Sequence, residues 1–234
     1  MKWTFDQRPG LGWTLAGASV VVLALVALVL AGWASYRVPA VAVIGDSYTQ
    51  GSSQGGVGEY SWPEVAWRLM REQGVRVAPE ISAVGGTGYL HKGLTQAAFS
   101  DLIKEAVRPD DKVVVIFGGM NDTGEPINEV SIAVRQAFEL VHERAPRARL
   151  VVIGPVWPGR NPERAVLAVR DVIRAHALNA GAVFVDPIQE GWFTNRPDLI
   201  GADHIHPTDA GAVYLAERIA PRITEVLTGT ARGR

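Results

Sequence analysis

The sequence contains no cysteine. A disulfide scaffold, thiolate metal sites, a cysteine nucleophile and the cysteine of a lipoprotein anchor are therefore excluded. Net charge is also nearly absent: 23 basic residues face 24 acidic ones, a formal balance of -1. A protein that lives by wrapping nucleic acid would carry a clear excess of Lys and Arg, so that class is set aside. Repeats and low-complexity tracts are lacking. No GxxxxGK[ST] phosphate loop occurs, and Gly86-Thr87-Gly88 lacks the third glycine of a dinucleotide fingerprint because position 91 is His.

A further absence is local. No charged residue lies between Arg8 and Arg37. A helix over those residues would extend about 42 Å, against the roughly 30 Å of a hydrocarbon core. Residues 15–34 are mostly Val, Leu and Ala, and Trp13, Trp33 and Tyr36 stand at the two ends, where interfacial aromatics belong. Residues 1–37 are expected to form a short cytoplasmic stub and a transmembrane signal-anchor. Lys2 and Arg8 precede the span, and after Arg37 the next Lys or Arg is Arg68. The positive-inside rule then places residues 38–234 outside the cytoplasm. The alternative is a signal peptide cut near Ala34, giving a secreted domain.

Residues 38–234 have the length of one domain. Short Val/Ile runs alternate with longer amphipathic stretches, the pattern of a parallel sheet covered by helices on both faces. Strands are expected at Val41–Ile44, weakly within Val75–Ala83, and at Val113–Phe117, Leu150–Ile153 and Val183–Val185. Ser61-Trp62-Pro63-Glu64 has the form of a capping box. Asn161-Pro162 reads as a cap followed by proline at the first helical position, with Gly181 past that helix's end. Asn128 opens another helix, ending before Pro146. A last helix is expected from about Thr208 to Leu227, with a bend at Pro221. The weakest helix is Leu94–Val107. The class is α/β, a three-layer sandwich with a parallel sheet of about five strands.

Sites in such sheets form beyond the carboxyl ends of the strands. The segments following the five strands hold, in order, Gly45-Asp46-Ser47, Gly85-Gly86-Thr87-Gly88-Tyr89, Gly118-Gly119-Met120-Asn121-Asp122, Gly154-Pro155-Val156-Trp157-Pro158 and Asp203-His204-Ile205-His206-Pro207. These residues suit acyl transfer. Ser47 is a nucleophile that needs a base, and His206 is the candidate with His204 as its rival. Asp203 is placed to hold the imidazole's other nitrogen. The N–H groups of Ser47 and Gly86 and the side-chain amide of Asn121 are oxyanion donors. Asp46 reads as a loop brace and Asp122 as a turn former. Tyr48, Tyr89, Trp157 and Trp192 are candidates to line a substrate pocket. Ser53 lies in a GxSxG string but without the strand and helix that motif requires on either side. The glycine-rich loop 51–58 is expected to move over the site.

Four of these blocks, Gly45-Asp46-Ser47-x-x-x-Gly51, Gly86, Gly119-Met120-Asn121-Asp122 and Asp203-x-x-His206-Pro207, resemble the SGNH (GDSL-type) hydrolases, in that family's order across residues 40–215. The resemblance implies a flavodoxin-like sandwich and ester hydrolysis without a cofactor or metal. It implies Ser47 as nucleophile, Asp203 and His206 completing the triad, and Gly86 and Asn121 as oxyanion donors. Two positions depart from the pattern: Tyr48 stands where the family more often has Leu, and the second block lacks its frequent upstream Asn. The expected substrates are small acyl esters or O-acyl groups on envelope glycans or lipids. The alternatives are an extracytoplasmic O-acyltransferase with the same triad and a non-catalytic envelope-binding module. No nucleic-acid partner is expected.

Overall fold

A computed structural model describes residue 1 and residues 38–229. The expected signal-anchor falls within residues 1–37 and lies outside the described residues. Among the described residues no helix is long and apolar enough to cross a membrane.

Five strands, β1 (Ala40–Gly45), β2 (Ala78–Ala83), β3 (Asp111–Phe117), β4 (Arg149–Ile153) and β5 (Val183–Val185), form one sheet in the order β2-β1-β3-β4-β5. Every pairing is parallel. Alternate side chains of the central strands serve two separate cores. Val41, Val43, Val113, Val115 and Phe117 face the helices α2 (Trp62–Glu72) and α6 (Asp209–Thr228). Ala42, Ile44, Val114, Ile116 and Val152 face α3 (Phe99–Ala106), α4 (Ile127–Arg144) and α5 (Arg164–Asn179). Burial on both faces explains why β1 and β3 are unbroken apolar runs. Each such Val or Ile contributes about 1.5–3 kcal/mol by leaving water.

β2 is the weak strand because it is the edge. Its first four residues are exposed, and Pro79 is tolerated where one side of the strand has no partner. Other boundaries differ from the sequence reading for local reasons. The helix expected from Leu94 begins only at Phe99, because Gly93 and Leu94 donate their N–H groups to Ala97 and Gly85 in a loop. The helix expected from Asn161-Pro162 begins at Arg164. Ser61 does precede α2, but its side chain makes no capping bond. The last helix runs through Pro221 to Thr228.

The order reverses at β1, so β2 and β3 lie on either side of it. The crevice beyond the carboxyl ends of β1 and β3 is the switch point where open α/β sheets bind ligands. One further short helix, α1 (Ser47–Gln50), starts there, directly after β1.

Candidate active site

Ser47 is the first residue of α1. The strand-to-helix turn needs glycine at position 45, where an added Cβ would come within 2.1 Å of Thr49 Oγ1. Asp46, not Ser47, caps the helix: its Oδ1 accepts the Tyr48 N–H at 2.9 Å. The Ser47 hydroxyl is thereby left for other work. It lies 2.9 Å from His206 Nε2.

His206 is fixed from its other side. Its Nδ1 lies 2.7 Å from Asp203 Oδ2, while Asp203 Oδ1 accepts the N–H groups of Ile205 and His206, each at 2.9 Å. Hydrogen bonds from His206 and from these two N–H groups lower the Asp203 carboxyl to about 2. Asp203 is therefore ionised across any ordinary pH, and an ionised acceptor at Nδ1 leaves Nε2 bare to accept from Ser47. His204, the rival base, makes no such bond; it is exposed, with its backbone in the left-handed region at φ 59°.

The oxyanion candidates converge from three loops. The N–H groups of Ser47 and Gly86 donate to no described residue. Gly86 adopts φ 77°, a conformation that costs glycine little. Asn121 sits in a turn of 3-10 helix (Met120–Gly124) after β3. Its Nδ2 donates to the Thr87 carbonyl at 2.9 Å and to Asp46 Oδ2 at 3.3 Å. The second bond is long, and it is the one a substrate oxygen displaces at least cost.

Three further residues hold this arrangement: Asp46 and Asp122, both expected from the sequence to be structural, and Tyr48, which was not. Asp122, fully buried, accepts N–H groups from Tyr89, Leu90 and His91, all at 2.9 Å, and so shapes the loop that carries Gly86. Burial raises its carboxyl despite those bonds. Asp46 is also buried; desolvation pushes its carboxyl up to about 7, with the Asp122 charge adding to the rise. Tyr48 packs its ring 6.0 Å from Phe117 and 6.2 Å from His206, and its hydroxyl donates to the Ile205 carbonyl. It thus ties α1 to the loop bearing Asp203 and His206.

The pocket-lining expectation is corrected for three aromatics. Tyr48, Tyr89 and Trp192 are 6%, 2% and 1% exposed, so they pack the loops onto the sheet and offer no face to a ligand. Tyr89 lies against Phe99 and Phe138, and Trp192 donates to Glu190. Trp157 alone is half-buried. The 51–58 loop is tied down at several points: Ser52 pairs with Gly55, Gly56 N–H donates to Asp209 Oδ1, and Ala202 N–H donates to Gln54 Oε1. Ser53 is exposed at its tip, far from the elbow its motif would require.

The model of the GDSL-like Lipase/Acylhydrolase family matches residues 43–213. The chain is 49% identical over 197 residues to the GDSL lipase Rv0518 of Mycobacterium tuberculosis, covering 83% of this chain and 85% of that protein. Among solved structures, that of TesA superposes with a TM-score of 0.65 at 20% identity, over 80% of this chain and 99% of the other. A lipase/acylhydrolase from Enterococcus faecalis gives a TM-score of 0.60 at 20% identity, over 79% and 95% of the two chains. At such identities the structural likeness establishes the fold.

Proposed function

The chain belongs to the GDSL-like lipase/acylhydrolase family and is an ester hydrolase, and we propose that Ser47, His206 and Asp203 are its nucleophile, base and base-orienting acid. One observation carries the assignment: the continuous relay from Asp203 Oδ2 to His206 Nδ1 at 2.7 Å and from His206 Nε2 to Ser47 Oγ at 2.9 Å. Ser47 Oγ attacks the ester carbonyl as His206 Nε2 takes its proton. The imidazolium is stabilised by Asp203, which stays ionised. Negative charge on the former carbonyl oxygen is met by the N–H groups of Ser47 and Gly86 and by the Asn121 amide, each worth about 2.7–4 kcal/mol to the transition state. His206 then gives its proton to the leaving alcohol oxygen. Water, deprotonated by His206, cleaves the acyl-enzyme by the same steps in reverse order.

The substrates are small acyl esters or O-acyl groups of the cell envelope. The envelope part of this reading rests on location alone: the charge-free residues 9–36, read as a membrane anchor that holds residues 38–234 outside the cytoplasm, support it. The test is hydrolysis of p-nitrophenyl esters from acetate to laurate by the full chain and by Ser47→Ala. Turnover lost in the variant supports the assignment, and turnover that survives refutes it. A product formed only when a sugar acceptor is supplied identifies an O-acyltransferase instead. Protease treatment of intact cells tests the location: residues 38–234 are cut from outside if the anchor reading holds and are protected if it fails.

A further inference from the structure

A cavity of about 460 Å³ adjoins the loop that carries His206, and the steps above leave it unused. Arg160, Asn195, Arg196, His204, Phe193 and Ile200 line it, together with Gly201 and Ala202. The cavity wall is bonded to the catalytic loop, since Gly201 N–H donates to the His206 carbonyl at 2.8 Å. Among the described residues three non-glycines have positive φ, and two of them, Asn195 at 60° and His204 at 59°, line this cavity. Asn and His are among the residue types that adopt this conformation most readily, so both turns are compatible with their sequence.

The lining charge is one-sided. No carboxylate lines the cavity. Arg196 is spent on Asp198, to which it makes a two-pronged ion pair, and its guanidinium packs over Tyr214. Asp203, next to His204 in sequence, has both oxygens occupied by His206 and by backbone N–H groups. Arg160 differs. Its Nε donates to Asn195 Oδ1 at 2.5 Å on the exposed side of the cavity, and it makes no ion pair with a described carboxylate. The rest of its fork, the Asn195 amide and the His204 ring N–H are donors without described partners, and a guanidinium fork suits a carboxylate or phosphate.

Direction follows from the mechanism. The leaving oxygen must receive its proton from His206 Nε2, so the alcohol departs over His206, whereas the oxyanion faces Gly86 and Asn121. We propose that this cavity is the alcohol-side subsite and selects esters whose alcohol carries an anionic group, a carboxylate or a phosphate. The direction, though not the anion site itself, rests on the assignment of Ser47 and His206.

The test compares phenyl acetate, 4-acetoxybenzoate and 4-acetoxyphenyl phosphate as substrates of the full chain, of Arg160→Gln and of Arg160→Lys. The ratio of kcat/KM for each anionic ester to that for phenyl acetate cancels differences in fold and in nucleophile. That ratio is expected to fall about tenfold in Arg160→Gln, mostly through KM, and to recover in part in Arg160→Lys, which keeps the charge without the fork. A ratio within twofold of the parent overturns the proposal. The larger ratio between the two anionic esters tells carboxylate from phosphate. A second readout needs no turnover: titration of 4-hydroxybenzoate and 4-hydroxyphenyl phosphate into Ser47→Ala, with and without Arg160→Gln. Weaker binding on loss of Arg160 supports the site; no binding, or binding indifferent to Arg160, refutes it. Ester turnover surviving in Ser47→Ala would instead sink the nucleophile assignment and leave the binding result standing.

Discussion

Asp203 stands on a surface loop, its side chain a third exposed, and bonds to an imidazole; Asp46 is 2% exposed at the end of β1 and bonds to an amide. Hydrogen bonds dominate the first and bring its carboxyl down to about 2. Desolvation dominates the second and takes it up to about 7. Two aspartates around one serine thus differ in role because their surroundings differ. The exposed one keeps a charge that an imidazolium needs. The buried one braces the start of α1 and one oxyanion donor.

Neutralising the exposed carboxyl breaks the comparison most sharply. Asp203→Asn is expected to cut kcat about 10³- to 10⁴-fold, because an amide at that position favours the wrong tautomer of His206. Steady-state hydrolysis of p-nitrophenyl acetate measures it, and a loss under tenfold would contradict the assigned role. Asn121→Ala, on the buried side, is expected to lower kcat about 10²- to 10³-fold with KM little moved, as for loss of a donor that matters in the transition state. If KM rose instead and kcat held, Asn121 would be a ground-state binding group.

The buried aspartate also writes itself into stability. Its carboxyl is raised from 3.8 to about 7, so the folded state binds a proton more tightly than the unfolded chain. The associated stability is fully present below pH 4 and is lost as pH rises through 7, on the order of 4 kcal/mol in all. Urea unfolding between pH 4.5 and 7.5 should show Asp46→Asn gaining on the parent as pH rises. Parallel curves would mean that Asp46 does not titrate in this window. Asp203 has the opposite sign, with its contribution lost only as pH falls from about 4 towards 2.

Asp122→Asn sharpens the buried half, because an amide cannot accept from all three N–H groups of residues 89–91 and turns an NH₂ towards at least one of them. A stability loss of about 2 kcal/mol is expected by urea unfolding. No loss would leave the loop's shape to Gly88 and its neighbours. The smallest effect is Tyr48→Phe. It deletes one hydrogen bond to Ile205 and leaves the ring in place, so kcat should fall about five-fold with KM unchanged. An unchanged kcat would make Tyr48 a packing residue only.

Sequence made the site's cast legible and left its wiring hidden. Ser47, Asn121 and His206 could be named because strand ends are readable from apolar runs and sites collect beyond them. β1 and β3 were clear for that reason, whereas β2 was faint because an exposed edge needs no apolar run. The bonds that position the cast join Asp46 to Asn121 across 75 residues and Tyr48 to Ile205 across 157. Nothing local in the sequence encodes such pairs. The aromatics misled for a related reason: a ring beside a catalytic residue in sequence is equally able to turn inward, as Tyr48 and Tyr89 do.

The central claim is that Ser47 is the activated nucleophile. Labelling of the full chain with a fluorophosphonate, followed by peptide mass spectrometry, tests it most directly. Stoichiometric adduct on Ser47, at least 100-fold slower labelling in His206→Ala and none in Ser47→Ala are the predicted results. An adduct on Ser53 or another serine, or labelling indifferent to His206, would contradict the account.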